Sequence, residues 1–205
     1  MRDVRSERSS ATVATSNEAD RDAASDECRQ QTVHATLAHD ASGPVNFAGP
    51  VRTLIIGCGN ILRGDDAVGP VFVRHLWERG LPDGVRCADG GTGGMDVAFQ
   101  MRGVPHVILV DACRSGSEPG ALFKLPGTEV EHLPPLAGIN LHAFRWDHAL
   151  AFARWLLKDD YPQSITVYLI EGEHFTVGEA LSPAVETAMH TLADLLLAEL
   201  HHDAA

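Results

Sequence analysis

Two aspartates each close a short apolar run: Asp89 in Asp89-Gly90-Gly91-Thr92-Gly93-Gly94, and Asp111 in Val110-Asp111-Ala112. A third, Asp66, lies in the loop that leaves the apolar run Leu54-Ile55-Ile56. An ionised carboxylate carried by an apolar strand must find hydrogen bonds, a counter-charge or a metal to offset its desolvation. For any one of them a loop or capping hydrogen bond would suffice; three on the same sheet edge weaken that reading and favour a shared site. Of 11 histidines, His142 stands out because it opens a helix after a Pro-rich stretch, where an imidazole could swing over the strand ends. One imidazole and two carboxylates with open positions suit a divalent transition metal. His148 and His174 compete for the same role, His174 from the segment Glu171-Gly172-Glu173-His174-Phe175.

Two other chemistries fit less well. The stretch Gly57-Cys58-Gly59-Asn60-Ile61-Leu62 starts like a dinucleotide fingerprint, but Leu62 stands where the third glycine belongs. Asp65 and Asp66 then open the following helix, where they would repel a pyrophosphate and complement the helix dipole. Capping accounts for Asp65 as readily as chemistry does. Nucleophilic catalysis lacks a GxSxG elbow. Cys113, two residues past Asp111, is the one thiol expected near the site and reads as a buried packing residue.

These residues need elements to hold them. The run at 54–56 ends in Gly57 and reads as a buried strand. Val68, Val71, Phe72, Leu76 and Trp77 then fall at helical spacing before Gly80 and Pro82. A strand at 85–88, a helix at 95–101 and a strand at 106–110 repeat the alternation. An added strand at 121–125, a helix at 142–158 and a β-branched strand at 164–170 follow. Ser182 as N-cap and Pro183 at the first helical position start the last helix, with Val185, Met189, Leu192 and Leu196 on one face. Alternating strands and helices predict an α/β fold with a mostly parallel sheet covered on both faces. In such sheets ligands gather beyond the carboxyl ends of the strands.

Composition bounds the rest. Residues 1–50 are rich in Ser, Ala, Asp, Glu and Arg with one aromatic, Phe47, and read as a disordered tail before a single domain at 51–205. A hydrophobic share of 44% is enough for a sizeable core. The net charge of −12 argues against nucleic acid and anionic membranes and favours a cationic partner or a metal. The four cysteines show no CxxC spacing, so neither a zinc knuckle nor a disulfide framework is implied. With no run of about 20 apolar residues and no secretory stretch, a cytoplasmic address is expected.

Taken in order, GCGNILRGDDAVGP, ADGGTGGMD, HVILVDACRSGSEPG and NLHAFRWDHAL resemble the signature blocks of the hydrogenase maturation proteases, over residues 51–200. The resemblance implies a three-layer, phosphorylase/hydrolase-like arrangement, a twisted sheet flanked by helices on both faces. It implies an endopeptidase that trims the C-terminal extension of the NiFe-hydrogenase large-subunit precursor. It further implies nickel supplied by that precursor and read by Asp66, Asp111 and His142, with Asp89, Gly90, Gly91 and Thr92 reading the substrate. Many members carry Glu where this chain has Asp66, which leaves Asp65 in contention for that place. Two readings from other classes stand beside it: a non-catalytic nickel-binding chaperone of hydrogenase assembly using the same residues, and a small-molecule or nucleotide-binding module.

Overall fold

The run TLIIGC carries no charge, and as strand β1 (Thr53–Cys58) it is buried at every position. Such a run suits a central strand covered on both faces. β1 pairs in parallel with β2 (Val85–Gly91) and β3 (His106–Cys113), and β3 pairs in parallel with β5 (Ser164–Glu171). β4 (Leu122–Pro126) runs antiparallel along β5 at the edge, and the order is β2-β1-β3-β5-β4. Proline is tolerated at a sheet edge because its missing N–H breaks no central ladder. The computed structural model describes residues 50–130 and 146–203. The tail expected at 1–50, apart from Pro50, lies outside the described residues, as does His142 with the expected helix start there.

Alternate side chains of the strands feed two cores. Ile55, Ile108, Val110, Tyr168 and Ile170 share one with helix α1 (Val68–Arg79) and the last helix, α5 (Pro183–Asp203). Leu54, Ile56, Val107, Leu109 and Val167 share the other with α2 (Gly94–Gln100) and α4 (Trp146–Leu157). A one-turn helix, α3 (Gly127–Val130), follows β4. The α/β sandwich expected from the alternation is thus the fold. Val185, Met189, Leu192 and Leu196 of α5 all face the core as their spacing predicts.

Three expectations need correction. Trp77 is 53% exposed rather than packed with Phe72; five residues carry it past one turn onto the helix flank, and Val73 and Leu76 fill the core instead. β2 and β3 run past their expected ends, so Asp89 and Asp111 lie inside strands. The extension of β3 is sustained by β5, whose Leu169, Ile170 and Glu171 pair with Asp111, Ala112 and Cys113.

The topology also fixes where a site can form. The chain leaves β1 for β2 on one side, then crosses to β3 on the other, with α1 and α2 on opposite faces. In open α/β sheets such a reversal is where ligands gather, here beyond the carboxyl ends of β1 and β3. The packing itself is testable by urea unfolding. Phe72 is fully buried, and Phe72→Ala should lose about 3–5 kcal/mol. Trp77→Ala should lose no more than about 1 kcal/mol.

Candidate active site at the carboxyl edge of the sheet

Gly59 follows β1 with φ of 126°, a region that residues with a Cβ rarely adopt. A Cβ there would lie 1.9 Å from the Asp66 carbonyl oxygen and 3.3 Å from Asp111 Oδ1. One glycine therefore brings the Asp66 backbone and the Asp111 carboxylate to a common point. Gly69 does the equivalent for α1: a Cβ would meet the Cys58 carbonyl oxygen at 2.1 Å and that of Val110 at 2.6 Å. The start of α1 consequently sits flush on β1 and β3.

Each acid is held by a backbone donor. Asp66 Oδ2 accepts the Asn60 N–H at 3.2 Å, and Asp111 Oδ1 accepts the Ala112 N–H at 2.8 Å. Asp111 is buried, and Asp66 is half-buried. Among the described residues no three His, Cys, Asp or Glu are grouped to hold a metal. The Asp66 carboxylate on the Asn60 N–H and Asp111 Oδ1 beside Gly59 thus stand at adjacent residues, and both are oxygen donors of a type that divalent cations take.

Asp89 stands apart from that pair. It lines an open cleft of about 430 Å³ with Gly90, Gly91, Asp96, Phe99 and Gln100. Its Oδ1 accepts the Gly91 N–H at 2.7 Å, and the Gly91 carbonyl accepts the Gly59 N–H at 2.9 Å, so cleft and acid pair meet at the ends of β1 and β2. Thr92 is exposed just past β2.

Asp65 does something the sequence did not disclose. It lies in a 3-10 turn, Gly64–Ala67, that precedes α1, and no side-chain cap bond joins either acid to that helix. Fully buried, its carboxylate accepts the N–H groups of Glu173 at 2.8 Å, His174 at 3.0 Å and Ser182 at 2.6 Å. Its own N–H donates to the His174 carbonyl at 2.9 Å. Burial alone pushes the carboxyl upward, but the backbone donors of Ser182, His174 and Glu173 outweigh it and hold it below its ordinary value. Asp65 is thus a clamp on the β5–α5 loop rather than a helix cap. Ser182 does precede α5, yet its Oγ makes no hydrogen bond among the described residues; its carbonyl accepts the Glu186 N–H at 2.9 Å.

Glu171, at the end of β5, is a second clamp. It is 2% exposed and accepts the Ser115 N–H at 2.9 Å, the Gly116 N–H at 2.8 Å, Ser115 Oγ at 2.8 Å and the Cys113 thiol at 3.2 Å. These donors, led by the Ser115 N–H, hold its carboxyl at about 2. Burial and the Glu171 carboxylate push the Cys113 thiol up to about 12, which disfavours the thiolate at neutral pH. Of the competing histidines, His174 has its Nδ1 3.0 Å from Glu179 Oε2, and His148 lies in the first turn of α4.

Comparison with known proteins identifies what this arrangement is similar to. A family model described as hydrogenase maturation protease matches residues 70–199. The hydrogenase 2 maturation protease of Escherichia coli is 31% identical over 152 residues, which are 73% of this chain and 91% of that protein. The solved structure of the hydrogenase maturating endopeptidase HybD from Escherichia coli aligns with a TM-score of 0.62 at 32% identity, covering 74% of this chain and 93% of that one. A hydrogenase 2 maturation peptidase from a Thaumarchaeota archaeon gives 0.55 at 31% identity, covering 73% and 98%.

The depressed carboxyl of Glu171 sets a pH signature. Its ordinary value is 4.5 and its folded value about 2, so its contribution is complete above about 4.5 and is lost as pH falls toward 2. Glu171→Gln should lower the urea midpoint at pH 7, and the parent and variant curves should converge between pH 4.5 and 2. Parallel curves across that window would assign the acid sensitivity elsewhere.

Proposed function

The chain belongs to the hydrogenase maturation proteases and is an endopeptidase, and from that premise we propose that it removes the C-terminal extension of a nickel-loaded NiFe-hydrogenase large-subunit precursor. The observation that carries this reading is that the Asp66 carboxylate, on the Asn60 N–H, and Asp111 Oδ1, beside Gly59, are brought to neighbouring residues just past β1. Both carboxylates are pre-oriented by a backbone N–H, so little reorganisation is needed when a cation arrives. Asp111 is buried, and a cation offsets the desolvation of its charge.

The nickel in this reading is part of the substrate. Asp66, Asp111 and His142 would complete the coordination of an ion already held by the precursor, and so register whether it has been loaded. An ion so placed can polarise the scissile carbonyl or activate a water. The cleft at Asp89, Gly90, Gly91 and Thr92 would then receive the polypeptide beside the cut. A polypeptide substrate also accounts for large apolar side chains left in solvent near the acids: Ile61, Leu62 and Val177 are 57%, 65% and 70% exposed. The Leu62 carbonyl accepts the Gly178 N–H at 2.9 Å, which joins their two loops into one rim. An exposed apolar patch of this kind marks an interaction surface. Among the described residues no helix is long and apolar enough to cross a membrane, and a cytoplasmic site of action is part of the proposal.

The test is a gel-shift assay of precursor loaded with nickel and of precursor without it. The parent should shorten only the loaded form. Asp66→Asn, Asp111→Asn and His142→Ala should fold normally and lose more than about 100-fold in rate, near 3 kcal/mol of barrier. Full processing by Asp111→Asn would overturn the site, and metal-dependent binding by the parent without shortening would favour an escort role. Leu62→Asp should raise KM for the precursor and leave kcat near the parent value; an unchanged KM would remove the rim from the docking surface.

A further inference from the structure

We propose that His75 on α1 and His190 on α5 form a two-imidazole chelate for a borderline divalent cation such as Zn²⁺, separate from the acid pair and bridging the two helices. Nδ1 of His190 and Nε2 of His75 share a hydrogen bond at 3.3 Å, across 115 residues of sequence, and a cation would take the place of the shared proton. The rings meet edge-on, with centroids 4.6 Å apart and planes at 77°. Two cis imidazoles on one ion, each at about 2.0–2.1 Å, place their nitrogens roughly 2.9–3.4 Å apart. The pair already stands at chelating distance.

The chemistry of the surroundings agrees. A metal takes the neutral imidazole, and His75 is held below its ordinary value, by burial first and then by the neighbouring His190. The other charged groups facing His75 are Arg79, Glu78 and Asp194. Arg79 is paired with Asp194 and Glu78 with Arg74, so the two guanidiniums are engaged by carboxylates rather than opposing a cation at the rings. His75 is half-buried and His190 exposed, which fixes one ligand and leaves the other open to solvent.

The two helices are already docked through Phe72 and Leu76 of α1 and Met189 and Leu192 of α5, all in one core cluster. The ligands are therefore preorganised, and binding does not have to assemble the helix pair. Among the described residues no third metal-binding side chain completes a group, so water fills the remaining positions and the ion exchanges. Imidazole pairs of this kind accept zinc, copper or nickel. The nearby start of both helices is set by the Asp65 clamp, through the turn before α1 and through Ser182 before α5. A cation on His75 and His190 would tie the same helices again, two turns further along α1. Its effect is to stabilise the layer that supports Asp66.

The experiment uses the full chain and Zn²⁺ alone. The parent is compared with a variant carrying Asp66→Ala, Asp111→Ala and His142→Ala, which lacks the proposed nickel-reading groups. Calorimetric titration should show one zinc equivalent retained in that triple variant and lost in His190→Gln and in His75→Gln. Free zinc at about 100 times its Kd should raise the melting midpoint by roughly 5–10 °C. His190→Gln should lose that shift while melting with the parent in EDTA. Should His75→Gln melt early in EDTA, the exposed His190→Gln variant decides the case. An undiminished midpoint shift and unchanged stoichiometry in His190→Gln would overturn the proposal, whatever the outcome of the processing assays.

Discussion

The carboxylate of Asp65 is the constraint on which the rest of the edge depends. A charge taken fully out of water costs several kcal/mol unless it is surrounded by donors, and Asp65 gathers three backbone N–H groups from Glu173, His174 and Ser182. To supply them, the segment after β5 must wrap back over the turn that follows β1. That turn then cannot move independently, and the next residue, Asp66, is delivered with its carbonyl against Gly59 and its carboxylate on the Asn60 N–H. Two adjacent acids thus meet opposite fates. Asp65 is spent on the fold so that Asp66 can be aimed.

Glu171 repeats the device two strands from β1, at the end of β5. It draws the segment after β3 inward through Ser115, Gly116 and Cys113, and β5 is thereby fixed to β3 beyond Asp111. Both clamps take their stabilisation from peptide dipoles and, for Glu171, a hydroxyl and a thiol. Backbone donors settle a buried anion without adding a positive charge, so the edge keeps its negative field. In a chain of net charge −12 that field draws cations toward Asp66 and Asp111 and repels anionic ligands. A nucleotide-binding role, already weakened by Leu62, becomes less compatible with this edge.

Much of this was legible in sequence where the cause is local. TLIIGC, HVILV and SITVYLI are apolar runs that allow little besides buried strands, and Ser182-Pro183 followed by Val185, Met189, Leu192 and Leu196 could start only a helix with one core face. Asp89 and Asp111 were found because they close such runs. What escaped depends on distant partners. Nothing near Asp65 announces donors 108 to 117 residues away, so local rules leave capping and chemistry level and point to no clamp. The length of β3 is set by the ladder with β5, and no pattern within 106–113 could tell a strand that ends at Asp111 from one that passes through it. Trp77 departs for a different reason: five residues past Phe72 is more than one helical turn, which turns an apolar side chain onto the flank of α1.

On the proposed reading, an edge of two anchored carboxylates would bind a free divalent ion weakly, and that weakness would be useful. An ion that arrived already chelated by the precursor, with the polypeptide resting on the rim of Ile61, Leu62 and Val177, would meet Asp66 and Asp111 as an intramolecular event at high effective concentration. The same carboxylates facing dilute free metal have no such advantage. Discrimination between loaded and unloaded precursor would then come from adding two modest contacts, docking and coordination, neither of which suffices alone. A site built to hold its own ion tightly would be engaged whether or not the substrate was ready, and the reading of the substrate would be lost.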